Sequence, residues 1–194
     1  MMLTQRFEDA LAYAARAHAT QERKGSGVPY VAHILAVTAI ALEHGADEDE
    51  AIAALLHDTV EDQGGIPRLA EIRERYGERV ASIVEGCTDA VVTPKPPWRA
   101  RKEEYVSHVR TAPPSVCLVS ASDKLHNARS ILADYREKGE NVWTRFNGGR
   151  DGTLWYYRSL IDALRPGAPP ALVAELARVV AEIEAVVGQG GAKP

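Results

Sequence analysis

Apolar positions recur along this chain with the spacing of helix faces rather than the alternation of strands. Phe7, Leu11, Ala14 and His18 fall on one side of a first helix, with Thr4 placed to cap its N-terminus. "TQERKGSG" breaks the pattern and reads as a loop. Pro29 suits the first turn of a second helix and Gly45 its end. The segment between them, "YVAHILAVTAIALEH", is apolar nearly all round, as expected of a buried helix. Asp47 with Glu50 three residues on is a capping-box pattern for a third helix, which Gly64, Gly65 and Pro67 should end. Two short helices follow, around 67–76 and 78–87, and then the proline-rich loop "TDAVVTPKPPW". One helix carries "RARKEEYVSHVR", and Pro113 and Pro114 open another that carries "SVCLVSASDKLHNARSILADY". "NGGRDG" reads as a glycine-rich loop before "TLWYYRSLIDAL". After the break "RPGAPP", Leu172, Leu176, Val179, Val180 and Ile183 mark a last amphipathic helix, and "GQGGAKP" reads as a frayed tail. With no convincing strand and no internal repeat, the expected fold is all-α, of roughly 8 to 10 helices. Residues 1–165 would form the main domain, with 166–194 a C-terminal helix packed on it plus the tail.

The bulk numbers change this picture little. The 194 residues suffice for one sizeable core. At 45 % hydrophobic and 26 % charged the chain is ordinary for a globular protein, which argues against disorder. A net charge of -4 gives no support to nucleic-acid binding, yet leaves room for a local basic pocket facing an anionic small molecule. Cys87 and Cys117 stand alone among apolar residues and read as buried free thiols. The N-terminus lacks a signal pattern, and no apolar run approaches the ~18 residues of a membrane span, so a cytoplasmic protein is expected.

One stretch resists a packing explanation. In "LLHDTVED", residues 55–62, His57, Asp58, Glu61 and Asp62 interrupt a strongly apolar segment. Read as a helix, the four fall within an arc of about 140°, opposite Ile52, Leu56 and Val60. Three acids on one face repel each other and are costly to bury unpaired; a divalent cation removes both problems. A merely solvated face is disfavoured because the flanking "AIAALL" is too apolar for a surface helix, and because the charge opposes the helix dipole. Two further helices offer ligands. His33 lies in the first turn of the buried second helix, and Asp123 sits between Val119 and Leu125 on a helix where Asn127 and Ser130 share its face.

These residues carry a resemblance. The series His33, His57-Asp58 and Asp123 resembles the H…HD…D ligand set of the HD-domain metal-dependent phosphohydrolases. "RKGSGVPYVAHILAV", "ALLHDTVED" and "SDKLHNARSI" are similar to motifs of the hydrolase domain of the RelA/SpoT family, and by length to its small alarmone hydrolases. The likeness runs from about residue 5 to 135 and is weaker to about 165. It implies an HD-domain helical bundle and a Mn²⁺ site formed by His33, His57, Asp58 and Asp123. It implies hydrolysis of the 3′-diphosphate of (p)ppGpp to GDP or GTP plus pyrophosphate. Glu61 and Asp62 are then tied to activating the attacking water, Arg23 and Lys24 lie against the nucleotide, and Asn127 contacts substrate. Ser26 and Lys124 match motif positions whose roles the resemblance leaves open.

The residue chemistry is consistent with this. Mixed imidazole and carboxylate ligands suit Mn²⁺ or Fe²⁺, and no HExxH-type zinc spacing occurs. Candidate counter-charges for a polyanionic substrate are Arg23, Lys24, Lys95, Arg99, Arg101, Lys102 and Arg150; for Arg99–Lys102 a solvated face is an equal reading. "WYYR", residues 155–158, reads as core packing more readily than as an aromatic wall. His18 reads as a core histidine, His44 as a helix-end cation, and His126 as a neighbour of the site. An HD hydrolase of another nucleotide or of a phosphorylated dinucleotide and a catalytically silent nucleotide-binding regulator are the alternatives; the complete acid and histidine set argues against the second. Oligomeric state is not legible.

Overall fold

A computed structural model of the chain describes residues 2–89 and 96–190. Among these residues it contains α1 (Gln5–Ala17), α2 (Val31–Glu43), α3 (Glu48–Leu56), α4 (Thr59–Asp62), α5 (Gly65–Tyr76) and α6 (Glu78–Cys87). Then come α7 (Trp98–Val109), α8 (Pro114–Lys138), a 3₁₀ helix (Gly139–Arg145), α9 (Gly149–Leu164) and α10 (Pro170–Gly190). Extended pairing among the described residues is limited to one antiparallel bridge, Glu22 with Pro29, across the loop before α2. The fold is all-α.

Local chemistry fixes where these helices start, and ties their ends together. Thr4 Oγ1 accepts a hydrogen bond from Arg6 N, capping α1, while Thr4 N donates to Glu48 Oε1 at 2.6 Å and so joins α1 to α3. The capping box of α3 is formed: Glu50 N donates to Asp47 Oδ1 at 3.0 Å and Asp47 N to Glu50 Oε2 at 2.8 Å. The other oxygen of Glu50 accepts from Ser115 Oγ at 2.6 Å, so the cap also pins the start of α8.

Helix α8 is the axis of the molecule. Its 25 residues span about 37 Å. Proline at its first position costs no hydrogen bond, because that N–H would lack a helical partner anyway. Residues Val116 to Asp123 of α8 are all buried, with α2, α6 and α10 packed around the helix. Helix α2 buries His33, Ile34, Val37, Thr38, Ile40 and Ala41, and every residue of α3 from Ala51 to Leu56 is buried. Truncating one of these, such as Leu56, to alanine would cost about 2–5 kcal/mol. Helix α10 closes the bundle with Leu172, Leu176, Val179, Val180 and Ile183, all buried, so the amphipathic reading of that segment holds.

Four boundaries differ from the sequence expectation. The third helix is interrupted at His57–Asp58, and only the single turn α4 follows. Tyr30 occupies the cap position of α2, so Pro29 precedes that helix rather than opening its first turn. Helix α9 begins at Gly149, inside the stretch expected to be loop. Residues 188–190, expected in the tail, belong to α10. Residues 90–95 of the proline-rich loop, Lys95 among them, and 191–194 lie outside the described residues. The glycine before α9 has a packing reason: a Cβ on Gly148 would lie 2.5 Å from the Trp98 ring, so the indole sits where any side chain would be.

Candidate metal centre

Four side chains from three segments converge at the heart of the bundle. His33 comes from the first turn of α2, His57 and Asp58 from the junction of α3 and α4, and Asp123 from the middle of α8. His57 Nε2 lies 3.0 Å from Asp58 Oδ2 and 3.8 Å from Asp123 Oδ1. His33 Nε2 lies 3.4 Å from Asp58 Oδ2 and 3.3 Å from Asp123 Oδ1. One ligand atom each from His33, His57 and Asp58 fits within 4.8 Å. Both Nε2 atoms are buried without a well-formed hydrogen bond, which is unusual for buried polar nitrogens.

The far side of each ring is held. His57 Nδ1 lies 2.8 Å from Ala54 O, an acceptor, so this nitrogen carries a proton, and in the neutral ring Nε2 is the nitrogen with the lone pair. His33 Nδ1 meets His126 Nδ1 at 2.7 Å. Burial first, then the neighbouring His33 and Arg23, push His126 down to about 4, so its ring is neutral, and with its proton on Nε2 its Nδ1 accepts from a His33 Nδ1–H. Both imidazoles can thus aim an Nε2 lone pair at the same point, the orientation a metal ligand needs.

Charge at this point favours a cation. Burial opposes ionisation of Asp58, but His57 and His33 outweigh it and hold the carboxyl well below its ordinary value. Burial opposes ionisation of Asp123 too, yet the Lys124 ammonium, 2.6 Å from Oδ2, and the two histidines keep it well below. His57 feels the same field: burial lowers it, but Asp58 and Asp123 win and raise it to about 9. Two carboxylates that pull a proton onto a buried imidazole would favour a metal ion in its place. The residues therefore fit a divalent cation.

The other two acids sit beside this cluster. Glu61 is half-buried and Asp62 exposed on α4, one turn beyond the His-Asp pair. Asp62 Oδ2 accepts from Gln21 Nε2 at 2.7 Å. Loss of hydration and the Asp58 charge raise its carboxyl above the ordinary value, against the pull of Gln21.

The sequence model of the HD domain matches residues 10–154, three-quarters of the chain and every residue of this cluster. The chain belongs to the HD-domain family. Among curated relatives, the guanosine-3′,5′-bis(diphosphate) 3′-pyrophosphohydrolase of Aquifex aeolicus is 36 % identical over 133 residues, 69 % of this chain and 19 % of that protein. The pyrophosphohydrolase MESH1 of Xenopus tropicalis is 37 % identical over 126 residues, 63 % of this chain and 68 % of that protein. This HD-domain chain spans only 15–19 % of the length of the three bacterial relatives it matches first. Among solved structures, one described as a metazoan ortholog of SpoT that hydrolyses ppGpp superposes with a TM-score of 0.75. It covers 92 % of this chain and 96 % of the other at 24 % identity, a likeness of fold.

Around the HD-domain cluster, Arg23 Nη2 donates to Asn127 Oδ1 at 2.9 Å, and Asn127 Nδ2 donates to Asp123 Oδ1. The loop arginine, the asparagine and the aspartate thus form one chain of contacts. Lys24 is exposed on the same loop, while Ser26 Oγ donates to Arg23 O and ties the loop to itself. Arg101 and Lys102 both donate to Asp89, at 2.5 and 2.7 Å, and Arg99 lies over the Trp155 ring, 3.3 Å from its centroid. Arg150 pairs with Asp151 and Glu140 on the surface. Tyr156 and Tyr157 are buried, as the packing reading expects.

Two participants are absent from the sequence reading. Tyr30 OH donates to Asp58 Oδ2 at 2.5 Å, and Gln21 holds Asp62. Tyr30 lies one helical turn before His33, and that spacing could have placed it on the same face. Gln21 sits in a loop, where no periodicity points inward.

Proposed function

We propose that this protein is a metal-dependent phosphohydrolase that removes the 3′-diphosphate of guanosine tetra- or pentaphosphate, giving GDP or GTP plus pyrophosphate. The observation that carries the reading is the pair of buried Nε2 atoms aimed with Asp58 and Asp123 at one point, beside the Arg23–Asn127 contact. The named activities of the Aquifex and Xenopus relatives support the substrate class. His33, His57, Asp58 and Asp123 are the proposed ligands, and Mn²⁺ the proposed ion. Such a cation would lower the pKa of a water molecule and neutralise charge on the phosphate being cleaved.

The chain's own residues do the rest. Asp62, its carboxyl raised, and Glu61 orient the attacking water and take its proton. The bond between phosphorus and the 3′ oxygen breaks; the water oxygen joins the pyrophosphate, and the 3′ oxygen leaves as a hydroxyl by taking up the proton that the water gave to the carboxylates. Arg23 offers a planar cation to base or phosphate, and Lys24, Ser26 and Asn127 line the same approach. Lys124 holds one oxygen of Asp123 so that the other faces the cluster. Residues 1–165 would form the hydrolase unit, with α10 as its brace. The partner is a small nucleotide rather than nucleic acid or membrane. No helix among the described residues is long and apolar enough to cross a bilayer, and a cytoplasmic setting is part of this reading.

The test is product analysis. Protein loaded with Mn²⁺ and given ppGpp should yield GDP and pyrophosphate on anion exchange, and Asp58→Ala should abolish both. Intact ppGpp with another nucleotide cleaved would refute the substrate; tight nucleotide binding without any turnover would refute the enzyme.

A further inference from the structure

Gln21 stands at the centre of a network that the mechanism above does not use. Its Nε2 donates to Asp62 Oδ2 at 2.7 Å. Its Oε1 accepts from Gln63 Nε2 at 2.6 Å and lies 2.7 Å from His18 Nδ1. His18 is 2 % exposed, its Nε2 lies 3.4 Å from Thr59 Oγ1, and its ring stacks on Tyr30 with centroids 5.0 Å apart. The network joins the end of α1, the loop before α2, and both ends of α4.

We propose that Gln21 is a positioning residue for Asp62, and that the orientation Asp62 imposes on its amide in turn sets the His18 tautomer and the direction of the Gln63 amide. The inference rests on the reading of Asp62 as a proton acceptor.

The argument is one of polarity. The two ends of a carboxamide are alike in shape and opposite in hydrogen bonding. An ionised Asp62 takes only a donor. That leaves the amide oxygen for Gln63, which turns its own NH₂ toward it, and for His18, which must bring a proton on Nδ1. Turning the Gln21 amide over would set oxygen against the Asp62 carboxylate, and neither the Gln63 amide nor the His18 ring, each able to present a donor or an acceptor, could restore that contact. Asp62 therefore selects a single orientation, and two consequences follow. Asp62 Oδ2 is engaged, which leaves Oδ1 as the oxygen that meets the water. His18 must be the Nδ1–H tautomer, with Nε2 accepting from the Thr59 hydroxyl. Asparagine in place of Gln21 would be a methylene short of Asp62, and glutamate would present an acceptor where a donor is needed.

Two measurements on the full chain test this. The first is ¹⁵N NMR of the histidine rings in metal-free wild-type protein, with His18 assigned from His18→Gln. An Nδ1–H tautomer for His18 is expected, and Nε2–H overturns the proposal. The second is steady-state kinetics with Mn²⁺ and ppGpp. Gln21→Ala should lower kcat about 10- to 100-fold with KM nearly unchanged. Gln21→Glu should lose as much at pH 8, but its rate relative to wild type should recover on going down to about pH 5.5, where the new carboxyl, facing Asp62, holds a proton and donates it. A raised KM at unchanged kcat, or a variant-to-wild-type ratio flat with pH, overturns the proposal and leaves Gln21 a loop brace. If wild-type protein leaves ppGpp intact, the substrate reading fails, and the tautomer still decides whether the network is oriented as described. The same holds if the variants do not fold.

Discussion

Removing one oxygen atom tests whether the metal centre depends on its surroundings. Tyr30 OH donates to Asp58 Oδ2 at 2.5 Å, and the same oxygen faces His57 Nε2 at 3.0 Å and His33 Nε2 at 3.4 Å. Burial and the Asp58 charge hold the phenol well above its ordinary value, so it stays a donor at any working pH. Tyr30→Phe keeps the ring, its stacking on His18 and its edge contact with His33, whose centroid lies 5.3 Å away. What is lost is one hydrogen bond to a charged acceptor, worth about 1.5–3 kcal/mol. If that bond serves to aim Asp58 Oδ2 at the cation, the loss appears as weaker binding. Because 1.4 kcal/mol is tenfold, Mn²⁺ affinity should fall by about 10- to 100-fold. Isothermal titration of Mn²⁺ into chelator-stripped wild-type and variant protein reads this directly, with a thermal melt of each metal-free protein alongside. An unchanged affinity with a lowered metal-free melting point would refute the reasoning: Tyr30 would then stabilise the fold without orienting the ligand.

Other predictions follow from the same geometry. Glu61→Gln should bind Mn²⁺ nearly as wild type does but lose turnover by about 100-fold or more; near-normal turnover would remove Glu61 from the mechanism. Asp47→Ala breaks the capping box and should cost about 1 kcal/mol, or about 2–4 °C in melting point. The bond from Arg79, against a smaller effect of burial, holds the folded Asp47 below its ordinary value. Its contribution is therefore complete above the unfolded value of about 3.9 and fades as pH falls through the lower folded value, so the melts of wild type and Asp47→Ala should converge in strong acid. A gap that persists there would show that the cap does not depend on charge. Gly148→Ala puts a methyl 2.5 Å from the Trp98 ring and should cost about 1–3 kcal/mol in urea denaturation; a neutral result would mean that the indole swings aside freely.

Much of the fold is legible because packing and periodicity agree. Helix α10 shows a stripe of five apolar residues and buries all five. The capping box of α3 is written in Asp47 and Glu50, and both of its bonds form. The cluster is legible for a different reason: His33, His57 and Asp123 are polar residues on elements with no polar face to spare, and all three prove buried. What stays hidden is whatever depends on loops. His18 reads as a core histidine, and it is buried, but its partner Gln21, and Gln63 which bonds Gln21 in turn, lie outside helices, where spacing carries no directional information. The grouping of Arg101 and Lys102 on Asp89 is equally invisible, because nothing in "RARKEE" marks an acid twelve residues upstream as their partner.

The break at the end of α3 bears most directly on chemistry. On an unbroken helix two adjacent side chains leave the axis about 100° apart, which is poor geometry for sharing one ion. His57 keeps helical angles, φ -56° and ψ -35°, and its ring is pinned to Ala54 O, one turn back. Asp58, at φ -96° and ψ -5°, falls in the sparsely populated bridge region where chains often turn at functional sites. The turn brings its carboxylate to 3.0 Å from His57 Nε2. Helix propensity cannot account for the stop, since apolar Val60 follows and α4 resumes at once; Asp62 N still donates to Asp58 O at 3.0 Å. The interruption is confined to the one peptide where a continuous helix would have pointed the histidine and the aspartate apart.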